Sequence, residues 1–359
     1  MRSTSGQHYI GLDHLRALAA FLVVCWHFIP VSQHASDEAP IGPFAVLHEG
    51  HTGVALFMVL SGYLFAKLLD GKRMLFAPFL LNRALRLLPL LSLVLLWNAM
   101  SWTSHGGSLG DYLTLLARGL VLPTWPNGGW SIVVEAQFYL LLPLILWAAA
   151  KSPKHLVRII VVAMLVRVGV HLLRGNVQDF AYWTLGGRID QFVGGILAWH
   201  CRDVVRGRGR YVIAWLAAFA VGWWAFDAVG GFYTTRDSVA WVFIPTVEAM
   251  TWGGLVAWYD SLRLEDSRLS RAIAFYGDVS YSIYLLHFFW VFKVASALER
   301  AGYPMTNTYA ALAAAFVFFL AMGLPGWLTG KLIERPAMRW RRPYAVAETR
   351  IDLNAKPAV

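Results

Sequence analysis

The sequence predicts an all-α integral membrane protein, a bundle of about ten transmembrane helices with both termini in the cytoplasm. Three observations support this fold class. The 359 residues are 58% hydrophobic and only 14% charged, whereas a soluble domain carries about 25% charged residues. The apolar runs are long enough to cross a bilayer. Lys and Arg are concentrated in alternate loops, which is typical of the cytoplasmic side of a membrane protein.

Each span is predicted from an apolar run bounded by charged, Gly or Pro residues. The sixth is close to the minimum length for a crossing. Residues 1–344 form one transmembrane domain in this interpretation, and residues 345–359 form a polar tail. The predicted spans are residues 13–31, 53–69, 80–101, 131–150, 155–173, 186–201, 211–229, 239–259, 280–298 and 309–333.

The distribution of charge predicts the orientation. The loop Val31–Thr52 and the other loops on its side carry few or no basic residues, whereas the opposite loops are rich in Lys and Arg. The positive-inside rule places the basic loops in the cytoplasm. The net charge of +10 is then a consequence of topology, and we expect no nucleic-acid partner. Cys25 and Cys201 lie in or beside predicted spans, so no disulfide framework is indicated.

The first span contains two ionisable residues, Arg16 and His27, which are eleven residues apart. At ~100° per residue the pair is ~20° past three full turns, so both side chains lie on one face, roughly 16 Å apart along the axis. A charged group in hydrocarbon costs ~2.5–3.5 kcal/mol, so such residues indicate function. We predict a fixed cation near the cytoplasmic surface and a titratable base near the outer surface.

Glu135 lies about one turn into the fourth span, at a depth similar to that of His27. A carboxylate and an imidazole at one depth can form an acid/base pair if their helices face each other. The alternative is that each satisfies the hydrogen bonds of the other as a structural lock. We predict that His27 is the catalytic base and that Glu135 is its partner.

The sixth and ninth spans add further polar residues. Arg188 and Asp190 form an interfacial ion pair in one interpretation and orient a polar acceptor in the other. Ser280, Tyr284 and His287 share one helical face, which either lines a channel or joins helices through hydrogen bonds.

A cationic cluster is predicted on the cytoplasmic side. Arg83 and Arg86, at positions i and i+3, share a face at the start of the third span. The guanidinium fork suits phosphate oxygens. Lys67 and Arg73 lie nearby in the sequence, and Arg16 is at the same predicted depth. The cluster indicates phosphate binding, and the alternative is ordinary positive-inside charge.

Together these residues resemble the motifs of the acyltransferase-3 family of bacterial membrane acyltransferases, over nearly the whole chain. Ala136 stands where many relatives have a second acid, which favours Glu135 as the carboxylate that matters. We expect the stand-alone form, without the esterase-like domain that some relatives carry. The matching segments are Arg16-x10-His27, Gly53–Phe65 (GVALFMVLSGYLF), Arg83-x-x-Arg86, Trp130–Pro143 (WSIVVEAQFYLLLP), Gly187–Gly195 (GRIDQFVGG), Ser280–His287 (SYSIYLLH) and Glu334-Arg335-Pro336.

The resemblance implies a membrane-bound O-acyltransferase of the bacterial inner membrane. It implies acyl-CoA, usually acetyl-CoA, as co-substrate, and no metal. The expected acceptor is a hydroxyl of an exopolysaccharide, a lipopolysaccharide or another lipid-linked sugar at the outer face. Membrane lipids are the other expected partners.

The resemblance also implies roles for the residues described above. His27 acts as general base with Glu135 fixing its tautomer, and an acetyl-imidazole on His27 is the alternative. The expected binding residues for the CoA phosphates are Arg16, Arg83, Arg86, Lys67 and Arg73. The expected acceptor-binding residues are Trp130, Arg188, Asp190, Tyr284 and His287.

Two other functions fit the sequence. One is acylation of a small lipophilic molecule, such as a macrolide sugar, instead of a glycan. The other is a proton-coupled transporter or flippase, in which the buried His, Glu and Arg residues form a proton relay. The lack of a convincing internal repeat in the sequence counts against the transporter.

Overall fold

The computed structural model of the protein describes residues 9–31, 39–303, 305 and 307–347. Residues 1–8 at the predicted cytoplasmic N-terminus, and residues 348–359 of the predicted polar tail, lie outside this range. The described helices are α1 (Ile10–Phe28), α2 (Phe44–His48), α3 (Thr52–Leu69), α4 (Phe76–Ser104), α5 (Leu109–Arg118), α6 (Gly129–Lys151), α7 (Lys154–Arg174), α8 (Gln178–Trp183), α9 (Leu185–His200), α10 (Arg202–Val205), α11 (Gly209–Ala228), α12 (Gly231–Thr234), α13 (Ala240–Asp260), α14 (Arg268–Asp278), α15 (Ser280–Arg300), α16 (Thr308–Ala321), α17 (Gly323–Thr329) and α18 (Arg335–Ala337). The other elements are 3-10 turns at Ile29–Val31 and Met338–Trp340, a π-helical turn at Gly330–Glu334, and two strands, β1 (Lys72–Met74) and β2 (Ala345–Ala347).

Nine helices in the described part of the chain are long and apolar enough to cross a membrane. This confirms the predicted all-α integral membrane fold. The last of them runs continuously over Thr308–Trp340. The sixth predicted span is the exception, because α9 has 16 residues and is therefore only about 24 Å long, shorter than a ~30 Å hydrocarbon core. The described residues thus contain nine helices of spanning length, and the sixth predicted span, expected to be close to the minimum length, is a shorter helix.

The short helix α9 lies at the centre of the bundle, packed against α3, α7 and α13. Glycines let its backbone touch that of α3. A Cβ atom on Gly62 would lie 1.9 Å from the Phe192 carbonyl oxygen, and one on Gly195 would lie 2.0 Å from the Val59 carbonyl oxygen. Small residues permit this close approach between membrane helices. The polar residues of α9 are consequently held in the interior of the protein.

Both ends of the described chain lie at one end of the bundle. Tyr9, just before α1, is packed beneath the Lys67 ammonium at the end of α3, 4.0 Å from the ring centroid. The strand β1 follows α3 and pairs with β2 in antiparallel register, Lys72 opposite Ala347. The two ends of the described chain therefore lie together, as an even number of crossings requires. The cytoplasmic location of this end remains a prediction from the charge pattern.

The last long helix contains a π-helical turn at Gly330–Glu334. Such turns insert a residue into an α-helix and are frequent at functional sites. Here the turn places the buried Glu334 carboxylate against the guanidinium of Arg86 and the hydroxyl of Ser282. The helix is thereby joined to both α4 and α15.

Candidate functional site

A cavity runs inside the bundle along one face of α3. Val54, Phe57, Ser61, Leu64 and Leu68 line it at spacings of three and four residues, which is one helical face. Val54 and Leu68 are fourteen positions apart on α3, so the stripe of α3 that lines the cavity is about 21 Å long. Residues from α1, α4, α6, α14, α15 and the C-terminal segment form the other walls. The cavity thus covers most of the thickness of a hydrocarbon core.

One end of this cavity is lined by Arg83, Arg86 and Arg341, which we call the cationic mouth. Arg83 lies over the ring of Phe65, and its buried Nε atom has no hydrogen-bond partner among the described residues. Burial and the positive charges of Arg83 and Arg86 lower the pKa of Arg341. The three guanidinium groups therefore repel one another.

The other predicted phosphate-binding residues divide into two groups. Arg16 lines the cavity and donates a hydrogen bond of 2.8 Å to Asp13. Lys67 does not line it, since its ammonium lies 2.7 Å from both carboxylate oxygens of Asp260. Arg73 is an exposed residue of β1 and does not line the cavity either. The structure therefore groups Arg16, and not Lys67 or Arg73, with the cationic mouth.

The opposite end of the cavity is lined by Ser131 of α6 and Tyr284 of α15. The hydroxyls of these two residues lie 2.7 Å apart, and the Tyr284 hydroxyl also donates to the Gly128 carbonyl at 3.1 Å. Tyr284 shares a helical face with His287, and their ring centroids are 6.1 Å apart. The predicted polar face of α15 therefore forms the boundary between the cavity and His287.

His27 contacts His287 across the bundle. The Nε2 atom of His287 lies 3.3 Å from the Nδ1 atom of His27, which also lies 2.8 Å from the Val23 carbonyl oxygen. His287 Nδ1 lies 3.1 Å from the Ile283 carbonyl oxygen. His27 is half-buried and does not itself line the cavity. The histidine pair is separated from the cavity by Tyr284.

Glu135 lines the cavity but does not hydrogen-bond to His27. Its carboxylate accepts hydrogen bonds from Ser61 Oγ at 2.7 Å and from the Tyr139 hydroxyl at 2.5 Å. The expected contact between Glu135 and His27 is therefore not formed. The next residue, Ala136, is exposed and does not line the cavity, so of these two positions Glu135 is the one that reaches it.

Of the two interpretations of Arg188 and Asp190, the ion pair between them is not formed, because residues i and i+2 lie ~200° apart around a helix. Asp190 instead accepts a 2.8 Å hydrogen bond from Arg167 of α7, and both side chains are fully buried. Arg188 is also buried and lies 4.2 Å from the ring centroid of Tyr182 and 5.5 Å from that of Trp130. Of the five expected acceptor-binding residues, Tyr284 lines the cavity, and Trp130, Arg188, Asp190 and His287 do not.

The chain matches the acyltransferase 3 family model, described as an acyltransferase domain, over residues 9–328. The chain belongs to the acyltransferase-3 family. The predicted resemblance is thereby confirmed for nearly the whole chain, and the protein is a multi-pass membrane acyltransferase. The transporter and flippase interpretation is set aside on this ground. No curated protein and no solved structure matches the chain.

This acyltransferase-3 chain also has a second buried polar group, just before α3. Burial and the charge of Asp227 raise the pKa of Glu49 to about 8, and burial lowers the pKa of His51 to about 3. The Nε2 atom of His51 lies 3.2 Å from Oε2 of Glu49. Because both groups are neutral near pH 7, they form a neutral pair and not an ion pair.

His48, Glu49 and Asp227 place potential metal-ligand atoms within 4.8 Å of one another, in the part of the chain that the structure describes. The Nδ1 atom of His48 is 2.9 Å from each Asp227 carboxylate oxygen, so these two residues already satisfy each other. The expectation that the acyltransferase uses no metal stays a prediction.

Several residues of the site were not predicted from the sequence. Arg167 stands alone within an apolar run, and this position indicates a buried arginine that has either an ionic partner or a functional role. Ser61 and Tyr139 lie within the segments Gly53–Phe65 and Trp130–Pro143 that carry the family resemblance, but nothing singled them out within those segments as site residues. Arg341 and Tyr344 follow the last span, where the basic residues were attributed to topology.

Proposed function

We propose that this acyltransferase moves an acyl group, normally acetyl, from acyl-CoA on the cytoplasmic side to a hydroxyl group on the outer side of the bacterial inner membrane. The acceptor in this proposal is a cell-surface glycan or a lipid-linked sugar. Family membership supports the reaction class. The donor, the acceptor and the direction are our proposal.

The cavity is the observation that carries this proposal. It joins three guanidinium groups at one end to a polar pair, Ser131 and Tyr284, at the other. Arginine suits phosphate oxygens, and the lined stripe of α3 is about 21 Å long. The nucleotide of acyl-CoA would bind at the cationic mouth, and its pantetheine arm, with two amide groups and a terminal thioester, would extend along the cavity.

His27 is the proposed general base. A carbonyl oxygen can only accept, so the contact with Val23 assigns the proton of neutral His27 to Nδ1 and leaves a lone pair on Nε2. Nε2 would remove the proton of the acceptor hydroxyl as its oxygen attacks the thioester carbonyl. The carbon–sulfur bond then breaks, and the proton passes from Nε2 to the departing CoA thiolate. The products are the O-acyl ester and CoA, with the base regenerated.

Tyr284 has to move for the thioester to reach His27 in this scheme. Its ring lies between the cavity, which it lines, and His287, which contacts His27. Two hydrogen bonds hold its hydroxyl, to Ser131 and to the Gly128 carbonyl. We expect the acyl end of bound acyl-CoA to displace this hydroxyl and open the cavity toward the histidine pair.

The test combines cells and purified protein. Mass spectrometry of surface glycans should show an added acyl mass that depends on the gene and is lost in the His27→Ala variant. His105→Ala is the matched control, because His105 is exposed at the end of α4. Purified protein with acyl-CoA and the isolated glycan should release CoA at the same time. Unchanged glycans in cells that lack the gene would reject the glycan acceptor, and unchanged activity of His27→Ala would reject the base.

A further inference from the structure

The C-terminal segment Met338–Ala347, which we call the C-terminal strap, lies across the start of α4. Its strand β2 pairs with β1 in antiparallel register, Met74 opposite Ala345. The hydrogen bond from Leu75 N–H to the Tyr344 carbonyl, 2.7 Å, extends this pairing by one residue. The strap is therefore attached at the same end of the bundle as the cationic mouth.

A buried asparagine on α4 fixes the register of the strap. Asn82, which is fully buried, donates from its amide to the Arg342 carbonyl at 2.7 Å and accepts from the Arg342 backbone N–H at 2.9 Å. The Tyr344 ring packs against Phe79, with centroids 5.5 Å apart, and is almost fully buried. Two reciprocal hydrogen bonds and a buried ring hold the strap in one position.

This attachment brings strap side chains into the cavity wall. Met338, Arg341 and Tyr344 all line the cavity. Arg341 Nε donates to the Met338 carbonyl, and burial together with the charges of Arg83 and Arg86 lowers the pKa of Arg341. A third guanidinium is thus positioned beside the two arginines on α4.

Three of the described carboxylates at this end of the bundle each have a basic partner. Asp13 accepts from Arg16, and Asp278 accepts from the exposed Arg335. Glu334 is left as the counter-ion of Arg86. Three guanidinium groups that line one end of a cavity suit an anion with several oxygens, because such an anion accepts charge-assisted hydrogen bonds from all of them.

We propose that the C-terminal strap completes the phosphate-binding part of the acyl-CoA site and that Arg341 binds a phosphate of the donor nucleotide together with Arg83 and Arg86. This inference rests on the proposed function. It assigns a binding role to residues that lie beyond the range matched by the family model, which ends at residue 328.

The test measures nucleotide binding without chemistry. Adenosine 3′,5′-bisphosphate, which carries phosphates but no thioester, is titrated into the purified full-length protein in lipid nanodiscs. Arg341→Gln should weaken its binding by about tenfold and flatten the dependence on salt, whereas Arg341→Lys should lose less. Arg342→Gln is the matched control, because the exposed side chain of Arg342 does not line the cavity and its backbone bonds to Asn82 remain.

The outcomes distinguish the two proposals. If the wild type and Arg342→Gln bind the bisphosphate and Arg341→Gln binds it equally well, the role of the strap is rejected while the donor site stands. If the wild type binds neither the bisphosphate nor CoA, the donor site itself is rejected. A thermal unfolding midpoint is measured for each variant, and should Arg341→Gln not fold, Arg341→Met, which keeps an apolar stem without the charge, decides: wild-type affinity and salt dependence in that variant would reject the role of Arg341.

Discussion

His287 Nε2 lies 3.3 Å from His27 Nδ1, so the residue that contacts the proposed base is a second histidine and not Glu135. His287 Nδ1 faces the Ile283 carbonyl and carries the proton of the neutral ring, because a carbonyl only accepts. The Nε2 lone pair of His287 is then a second acceptor, at 3.3 Å, for the His27 Nδ1–H that the Val23 carbonyl accepts at 2.8 Å. This arrangement holds His27 in the tautomer with a free Nε2 and stabilises the imidazolium that forms when Nε2 takes a proton.

The first prediction concerns His287 as a positioning residue. His287→Leu removes the side-chain acceptor of the His27 Nδ1–H and should lower kcat on the order of 10²-fold, with little change in the KM for acyl-CoA. His287→Gln offers an amide oxygen near the position of Nε2 and should recover part of kcat. Steady-state kinetics of CoA release provide the measurement. A variant with unchanged kcat and a raised KM would contradict the positioning role and would indicate substrate binding.

The second prediction concerns Glu135, which lines the cavity and accepts from Ser61 and Tyr139. Glu135→Gln should mainly raise the KM for acyl-CoA, because a carboxylate in the cavity wall can accept from the amide groups of the pantetheine arm. Tyr139→Phe keeps the carboxylate and serves as the comparison. If Glu135→Gln lowers kcat as much as His27→Ala does and leaves KM unchanged, Glu135 takes part directly in the chemistry.

The third prediction concerns the buried pair of Arg167 and Asp190. Arg167 joins three helices, since it also donates to the Val242 and Gly187 carbonyls at 2.7 and 2.8 Å. Arg167→Met leaves Asp190 as an uncompensated buried charge and should lower the free energy of unfolding by about 3–5 kcal/mol. Adding Asp190→Leu should recover a substantial part of the loss, which thermal or denaturant unfolding in detergent measures.

A surface pair serves as the control for this comparison. Arg271 and Asp266 lie 3.0 Å apart, but their side chains are 57% and 74% exposed. Arg271→Met should therefore change the free energy of unfolding by less than about 1 kcal/mol. An equal loss in Arg167→Met and Arg271→Met would contradict the importance of the buried pair.

The fourth prediction concerns backbone contact between α3 and α9. Gly195→Ala would place a methyl group 2.0 Å from the Val59 carbonyl oxygen, so the helices must separate and folded protein should be lost or strongly destabilised. Gly254→Ala on α13 meets open space and should be neutral or stabilising by up to about 1 kcal/mol. Size-exclusion profiles and thermal unfolding compare the two variants. Equal stability would show that α9 can shift without cost.

The fifth prediction is a pH dependence of stability from Glu49. Its pKa rises from an ordinary 4.5 to about 8 in the folded protein, so between these values the folded state holds a proton that the unfolded state has lost. The slope of unfolding free energy with pH is then negative, and stability present below pH 4.5 is lost as the pH rises through about 8. Glu49→Gln should remove this fall.

The comparison between wild type and Glu49→Gln isolates this effect. His51 acts in the opposite sense, since its lowered pKa makes stability fall as the pH drops below 6.5, but it is present in both proteins. Thermal midpoints at pH 5.5, 7 and 8.5 should therefore diverge in favour of the glutamine variant as the pH rises. Parallel curves would mean that Glu49 is ionised in the folded protein at all three values.

Residue types and their spacing along the chain were sufficient to predict the fold class and the family of this protein. Long apolar runs predicted the membrane fold, and the motifs of the first, fourth and ninth spans predicted the acyltransferase-3 family, both of which are confirmed. Helix rise also predicted similar depths for Glu135 and His27, which stays a prediction. These properties are local, because they depend only on residue type and on position along one helix axis.

The tertiary structure alone decided which side chains meet. Each residue rotates the side-chain direction by ~100°, so two residues at one depth touch only if both helices are turned toward each other, and packing sets that rotation. His27 therefore contacts His287, 260 residues away, while Glu135 turns toward Ser61. For the same reason Arg341 reaches the cationic mouth only because β2 and Asn82 hold the C-terminal strap against α4.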